Sequence, residues 1–177
     1  MRFANWLTNG QPTFGVEDNR TTEKGSYVMD AATTNAQFAA ITRSASAKYV
    51  VPSWDEWIKA AYYKGGSLNA GYWLYPTQSN NAPSNLLTAY GSNNANYYIN
   101  GVGYSDPVNY LTDVGAFAES PGPYGTYDMG ADVMNWTTAA PQPQLFSGWY
   151  FGPGGMPTSL DGISVSSGGI TKSCGRL

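Results

Sequence analysis

The sequence predicts one folded domain of modest helix and strand content, with ordered loops carrying most of the chain. Three observations predict it. The 177 residues suit one domain and are enough to bury a sizeable core. Six Trp, 14 Tyr and six Phe make an aromatic surface too costly to leave in water. Only 12% of residues are charged, whereas 21 are Gly and 11 are Pro, the composition of a chain that spends much of its length in turns.

The first predicted element is a short amphipathic helix, because Phe3, Trp6 and Leu7 fall at helical spacing and Asn9-Gly10 ends the pattern. Its aromatics are expected to face the core, and such a helix at the very start reads as the second half of something longer. Residues 11 to 35, with Asp18-Asn19, Lys24-Gly25 and Thr33-Thr34-Asn35, read as an irregular polar loop. Tyr49, Val50 and Val51 predict a short buried strand. The clearest local structure is VPSWDEWIKAAYYKGG, where Ser53 and Glu56 form a capping box after Pro52. Trp54, Trp57, Ile58, Ala61 and Tyr62 make one apolar stripe, and Gly65-Gly66 closes a helix of about three turns. From Ser67 to Asn100 the chain is rich in Asn, Ser, Gly and Tyr. Tyr72, Trp73, Tyr75, Tyr90, Tyr97 and Tyr98 want a surface to pack on, so the stretch reads as ordered loop. The doublets Tyr62-Tyr63, Tyr72-Trp73 and Trp149-Tyr150 read as core or loop anchors before they read as a sugar-stacking surface.

Charge and residue usage narrow the function. No Lys or Arg occurs between Lys64 and Lys172, while the same span holds Asp106, Asp113, Glu119, Asp128, Asp132 and Asp161. Phosphate backbones and anionic membrane surfaces need clustered cations, so nucleic acid and membrane are poor partners and a hard cation is a better one. With one Cys, Cys174, and no His, the chain cannot form an internal disulfide or pair Ser or Cys with His, and it lacks ligands for zinc or copper. The start, MRFANWLTNG, has no long apolar run, so neither a signal peptide nor a membrane span is read there, and the compartment stays open.

The stretch from Tyr124 to Trp136, YGTYDMGADVMNW, sets oxygen ligands, small residues and a Trp at fixed spacing without a basic side chain. Such Asp and Asn residues ordinarily shape turns, and here they also suit a hard cation.

In order along the chain, ANWLTNGQPT, VPSWDEWIKAAYYKGG, YWLYPTQSNNAP, ANYY, VGAF and YGTYDMGADVMNWT resemble the formylglycine-generating (sulfatase-modifying factor) enzyme family, specifically its bacterial members. The resemblance covers residues 1 to 137, with 138 to 177 as a divergent tail, and it implies the C-terminal portion of the family domain. It implies a C-type-lectin-like α+β fold with low regular secondary structure, held by aromatic packing and bound calcium. It also implies two groups of calcium ligands. In the first, Asn96 and Asp106 offer side-chain oxygens while Tyr97 and Val108 offer carbonyls. In the second, Asp128 and Asn135 offer side chains while Ala131 and Val133 offer carbonyls. Calcium accepts such mixtures of carboxylate, amide and carbonyl oxygen. The family usually has Glu at the position of Asn135, and losing that carboxylate is expected to weaken the second group.

The resemblance breaks at the chemistry. The family's oxidase uses a Cys pair that binds copper, and Cys174 stands alone, so no copper site, catalytic residue or other cofactor site is expected. The leading reading is therefore a non-catalytic, calcium-stabilised lectin-like module that binds a protein or glycan ligand. Beside it stand a formylglycine-generating oxidase, which the Cys count disfavours, and an incomplete domain without independent function.

Overall fold

The computed structural model describes residues 1–13, 15–29, 32–87, 91–99 and 101–130, the strand residues 134–138, and the strand backbones 143–147, 163–166 and 169–172. Three helices lead, α1 (Arg2–Thr8), α2 (Asn35–Ala39) and α3 (Trp54–Tyr62). A small hairpin of β1 (Tyr63–Lys64) and β2 (Gly71–Tyr72) follows, with a 3-10 turn at Ser67–Asn69 between its strands. The later strands are β3 (Met134–Thr138), β4 (Pro143–Ser147), β5 (Ile163–Ser166) and β6 (Gly169–Lys172). They pair two by two, β1 with β2, β3 with β4 and β5 with β6. Among the described residues no helix is long and apolar enough to cross a membrane. The chain divides into two compact units, Met1–Trp54 with Trp136–Gln144, and Asp55–Asn135 with Leu145–Leu177.

The first unit is held by polar side chains as much as by apolar ones. The predicted first helix is present as α1, with Asn9 at its C-cap and Gly10 at φ +82° just beyond. Its buried face, however, is Ala4 and Asn5, while Phe3 is 69% exposed and stacks on the half-buried Trp6 ring at 5.6 Å. The expectation of core-facing aromatics is thus corrected. The reason is what lies against α1: Asn5 Nδ2 donates to the carbonyls of Thr22 (2.6 Å) and Tyr27 (2.9 Å), and its Oδ1 accepts from the Tyr27 amide (2.8 Å). One turn on, Asn9 Nδ2 donates to the carbonyls of Thr21 and Lys24. The helix packs on loop backbone, whose hydrogen-bonding groups an aromatic face would leave unmet. Apolar packing comes from Ala4, Tyr27 and Met29, with Met1, Phe38 and Ile41 against them.

Helix α2 starts within the predicted loop. Thr34 caps it, its hydroxyl accepting from the Gln37 amide and the Gln37 side chain accepting from the Thr34 amide, a reciprocal box that satisfies two otherwise unmet donors. The buried strand expected at Tyr49–Val51 is not formed, and Tyr49 and Val50 are exposed. The backbone of Val51 is satisfied by side chains instead of a ladder. Its amide donates to the Tyr27 hydroxyl (2.9 Å) and its carbonyl accepts from the Arg43 guanidinium (2.8 Å).

In the second unit α3 keeps the predicted stripe: Trp57, Ile58, Ala61 and Tyr62 are buried. The helix ends at Tyr62, short of Gly65-Gly66, because Tyr63 and Lys64 pair with Tyr72 and Gly71 in the hairpin. The stretch after the hairpin is ordered by its interior side chains. Tyr75, Ala95, Tyr97 and Phe117 are buried, and the Tyr97 hydroxyl donates to the Pro83 carbonyl.

Burial raises the pKa of both the Tyr62 and Tyr97 phenols, desolvation being the main cause in each. The folded chain keeps these protons where the unfolded chain has lost them, so their contribution is whole below a pH of about 10 and falls as pH rises above it. A circular-dichroism titration is expected to show cooperative alkaline unfolding whose dependence on pH is less steep in Tyr97→Phe, which titrates one group fewer, whatever offset the lost bond to Pro83 adds at every pH. An unchanged steepness removes Tyr97 from the cause.

Candidate functional site

The expected ligands of the first calcium group occupy two segments of the second unit. Asn94 to Tyr97 run through the interior, all buried. Asn96 Nδ2 donates to the Tyr110 carbonyl at 3.1 Å, and the Tyr97 carbonyl accepts from Asn85 Nδ2 at 3.1 Å. Asp106 and the exposed Val108 lie on a tight loop. Asp106 Oδ1 accepts from the amides of Val108 (2.8 Å) and Asn109 (3.1 Å), and its Oδ2 accepts from Asn109 Nδ2 (2.8 Å). These bonds, the Asn109 amide first, hold the Asp106 carboxyl below the usual carboxylate range. The Tyr110 amide donates to the Asp106 carbonyl at 3.0 Å, so Asn96 and Asp106 are joined through the backbone of Tyr110.

Of the second group, Asp128 is described most fully. It sits at φ +54°, a conformation that Asp tolerates better than most side chains, and its Oδ2 accepts from the Gly115 amide at 3.0 Å. Ala131 and Val133 lie outside the described residues. Asn135 runs in β3, and its side chain lies outside them too.

Asn96 and Asp128, assigned to different groups on the sequence, line one small cavity of about 20 Å³ together with Thr77, Ser120, Thr126 and Gly130. A space of that size takes a single water or a single ion. Its walls are close-set. A Cβ on Gly122 would lie 2.9 Å from Thr126 Oγ1, and one on Gly130 would lie 2.8 Å from Pro76 Cγ. Ser120 Oγ accepts from the Asn94 amide and Thr77 Oγ1 bonds Asn93 Oδ1, which fixes two of the lining hydroxyls. Thr126 Oγ1 is buried without a hydrogen-bond partner. An orphaned hydroxyl, an amide and a carboxylate around an ion-sized space fit a hard cation. Among the described residues no three His, Cys, Asp or Glu side chains come together, so a cation here would be held by Asp128 and neutral oxygens. Few charges in the ligand set mean modest affinity.

Of the residues lining the cavity, the resemblance names Asn96 and Asp128 and is silent on Thr77, Ser120 and Thr126. Hydroxyl residues are common in loops, and their spacing carries no signal until the chain folds back on itself. The one legible hint was the run PGPYGTYDMG, whose Gly122 and Gly130 both wall the cavity. Comparison with models of protein families, with curated proteins and with solved structures finds no match.

Proposed function

We propose that this chain is a non-catalytic, calcium-stabilised lectin-like module of the formylglycine-generating enzyme family, with a protein or glycan as its ligand and neither nucleic acid nor membrane as a partner. The observation that carries the reading is the ion-sized cavity lined by Asn96, Asp128 and Thr126, the last with a buried hydroxyl that has no hydrogen-bond partner. Calcium bound there would tie the 94–97 segment to the 122–130 turn, which no regular secondary structure joins. Its role is architectural. Oxidation of a sulfatase-type cysteine is not assigned, since Cys174 is the chain's one thiol and a two-thiolate copper site needs a second.

Thermal unfolding in calcium, magnesium and chelator tests the reading. Calcium at about a hundred times its dissociation constant is expected to stabilise the fold by about 2.7 kcal/mol. Magnesium is expected to do less, because it demands a near-octahedral shell and sheds water reluctantly. Asp128→Asn should melt like the parent in chelator and lose the calcium-dependent rise. Identical melting of the parent in calcium and in chelator rejects calcium as a structural component.

A further inference from the structure

Outside the cavity, the segment from residue 98 to 112 carries three features that packing alone does not call for. Tyr98, Tyr104 and Tyr110 form a continuous ridge of rings, with centroids 5.1 Å and 5.0 Å apart and planes tilted by 57° and 60°. The ridge is open to solvent at both ends, where Tyr98 is 39% and Tyr110 is 50% exposed. Tyr110 holds φ at +64°, a left-handed conformation that a bulky side chain rarely adopts. That strain is maintained from two sides, by Asn96 Nδ2 on the Tyr110 carbonyl and by the Tyr110 amide on the Asp106 carbonyl. Within the same segment Ser105 Oγ and Thr112 Oγ1 are buried without a hydrogen-bond partner. Strain and unmet polar groups gathered beside exposed aromatic rings are what a binding site retains and a merely structural loop sheds.

We propose that the Tyr98–Tyr104–Tyr110 ridge is a binding site for a neutral hexopyranose residue of a glycan. The apolar C–H face of a pyranose carries slightly positive hydrogens, which pack against the negative π face of a Tyr ring. Asp106 and Asn109, on the loop that holds Tyr110, bring a carboxylate and an amide for the sugar's hydroxyl edge. Charge selects the class of sugar. The sequence from residue 65 to 171 holds no Lys or Arg, and Asp106 lies on the ridge's own loop, so this stretch offers carboxylated, sulfated or phosphorylated glycans repulsion and no countercharge of its own. The inference rests on the reading of the chain as a ligand-binding module, and names the ligand class and the surface.

Native affinity electrophoresis of the whole chain tests it, in gels cast with galactomannan, mixed-linkage β-glucan, dextran or polygalacturonate, each in calcium and in chelator. At least one neutral polysaccharide is expected to retard the protein, and polygalacturonate is not. Tyr98→Ala and Tyr110→Gly should each weaken the retardation by about tenfold, the loss of one stacking contact. Glycine adopts a positive φ without strain, which offsets the lost contact with the Tyr104 ring, so Tyr110→Gly should melt close to the parent's temperature, which separates lost binding from lost folding. The proposal is overturned if no neutral gel retards the protein, if polygalacturonate alone does, or if both variants keep the parent's mobility. Neutral retardation in calcium and chelator alike, with no calcium effect on melting, keeps the sugar site and rejects the calcium reading. A calcium-dependent melt without retardation does the reverse.

Discussion

Replacing Asn5 by Ala is expected to destabilise the first unit by about 3 kcal/mol. The side chain is fully buried and every polar atom in it is used: both amide hydrogens go to the Thr22 and Tyr27 carbonyls and the oxygen takes the Tyr27 amide. Truncation removes three hydrogen bonds and strands the Tyr27 amide and carbonyl in the interior, with the Thr22 carbonyl part-buried, and each stranded group costs about 1–3 kcal/mol unless water reaches it. Water has little room to do so. Gly25 backs onto the site so closely that a Cβ there would lie 3.1 Å from the Asn5 Cα. Asn9→Ala is the control on the same helix. It loses two bonds, to Thr21 and Lys24, but Asn9 is exposed and solvent replaces them, so a loss under about 1 kcal/mol is expected. Denaturant titration with amide hydrogen exchange at residues 21–27 reads both. An Asn5 variant no weaker than the Asn9 variant would show that this buried network is not what holds α1.

Gly130→Ala is expected to cost about 2 kcal/mol and, under the calcium site proposed above, to abolish any calcium-dependent rise in melting temperature. The new methyl would stand 2.8 Å from Pro76 Cγ and 3.7 Å from Pro76 Cβ and Cδ. A proline ring cannot rotate out of the way, since its own closure fixes φ, and Pro76 is buried. The backbone must therefore shift, and it is the backbone that lines the cavity beside Asp128. Set beside Asp128→Asn, this variant separates shape from ligation. Asp128→Asn removes the charge and leaves the walls, whereas Gly130→Ala leaves the charge and displaces a wall. Melts of both in calcium and in chelator decide the point, and a Gly130→Ala protein with the full calcium response would place the ion elsewhere.

Helix α3 was legible because its information is local. An apolar stripe at helical spacing, with Asp55 and Glu56 in the first turn where they oppose the helix dipole, does not depend on the rest of the chain. Helix α1 was legible as a helix, but its orientation was not. Hydrophobicity pointed Phe3 and Trp6 inward, and the partner surface turned out to be loop backbone that the Asn5 and Asn9 side chains satisfy. The Tyr49–Val51 stretch misled for a related reason. β-branched and aromatic residues favour a strand only where a neighbouring strand offers a ladder, and here Tyr27 and Arg43 side chains took the backbone groups instead.

The candidate site divides along the same line. By itself the sequence determined that the chain holds one thiol and no histidine, and that residues 65 to 171 carry oxygen donors, Asn96 and Asp128 among them, without a basic side chain. These follow from residue type, which folding does not alter. Only the tertiary structure decided that Asn96 and Asp128 share one cavity, that Thr126 joins them, and that Tyr98, Tyr104 and Tyr110 line up as a ridge. Those groupings depend on turns such as the one at Tyr110, where a left-handed residue is held in place by a side chain 14 positions away. No local pattern encodes a conformation that the local chain disfavours, because the energy that maintains it comes from elsewhere in the fold.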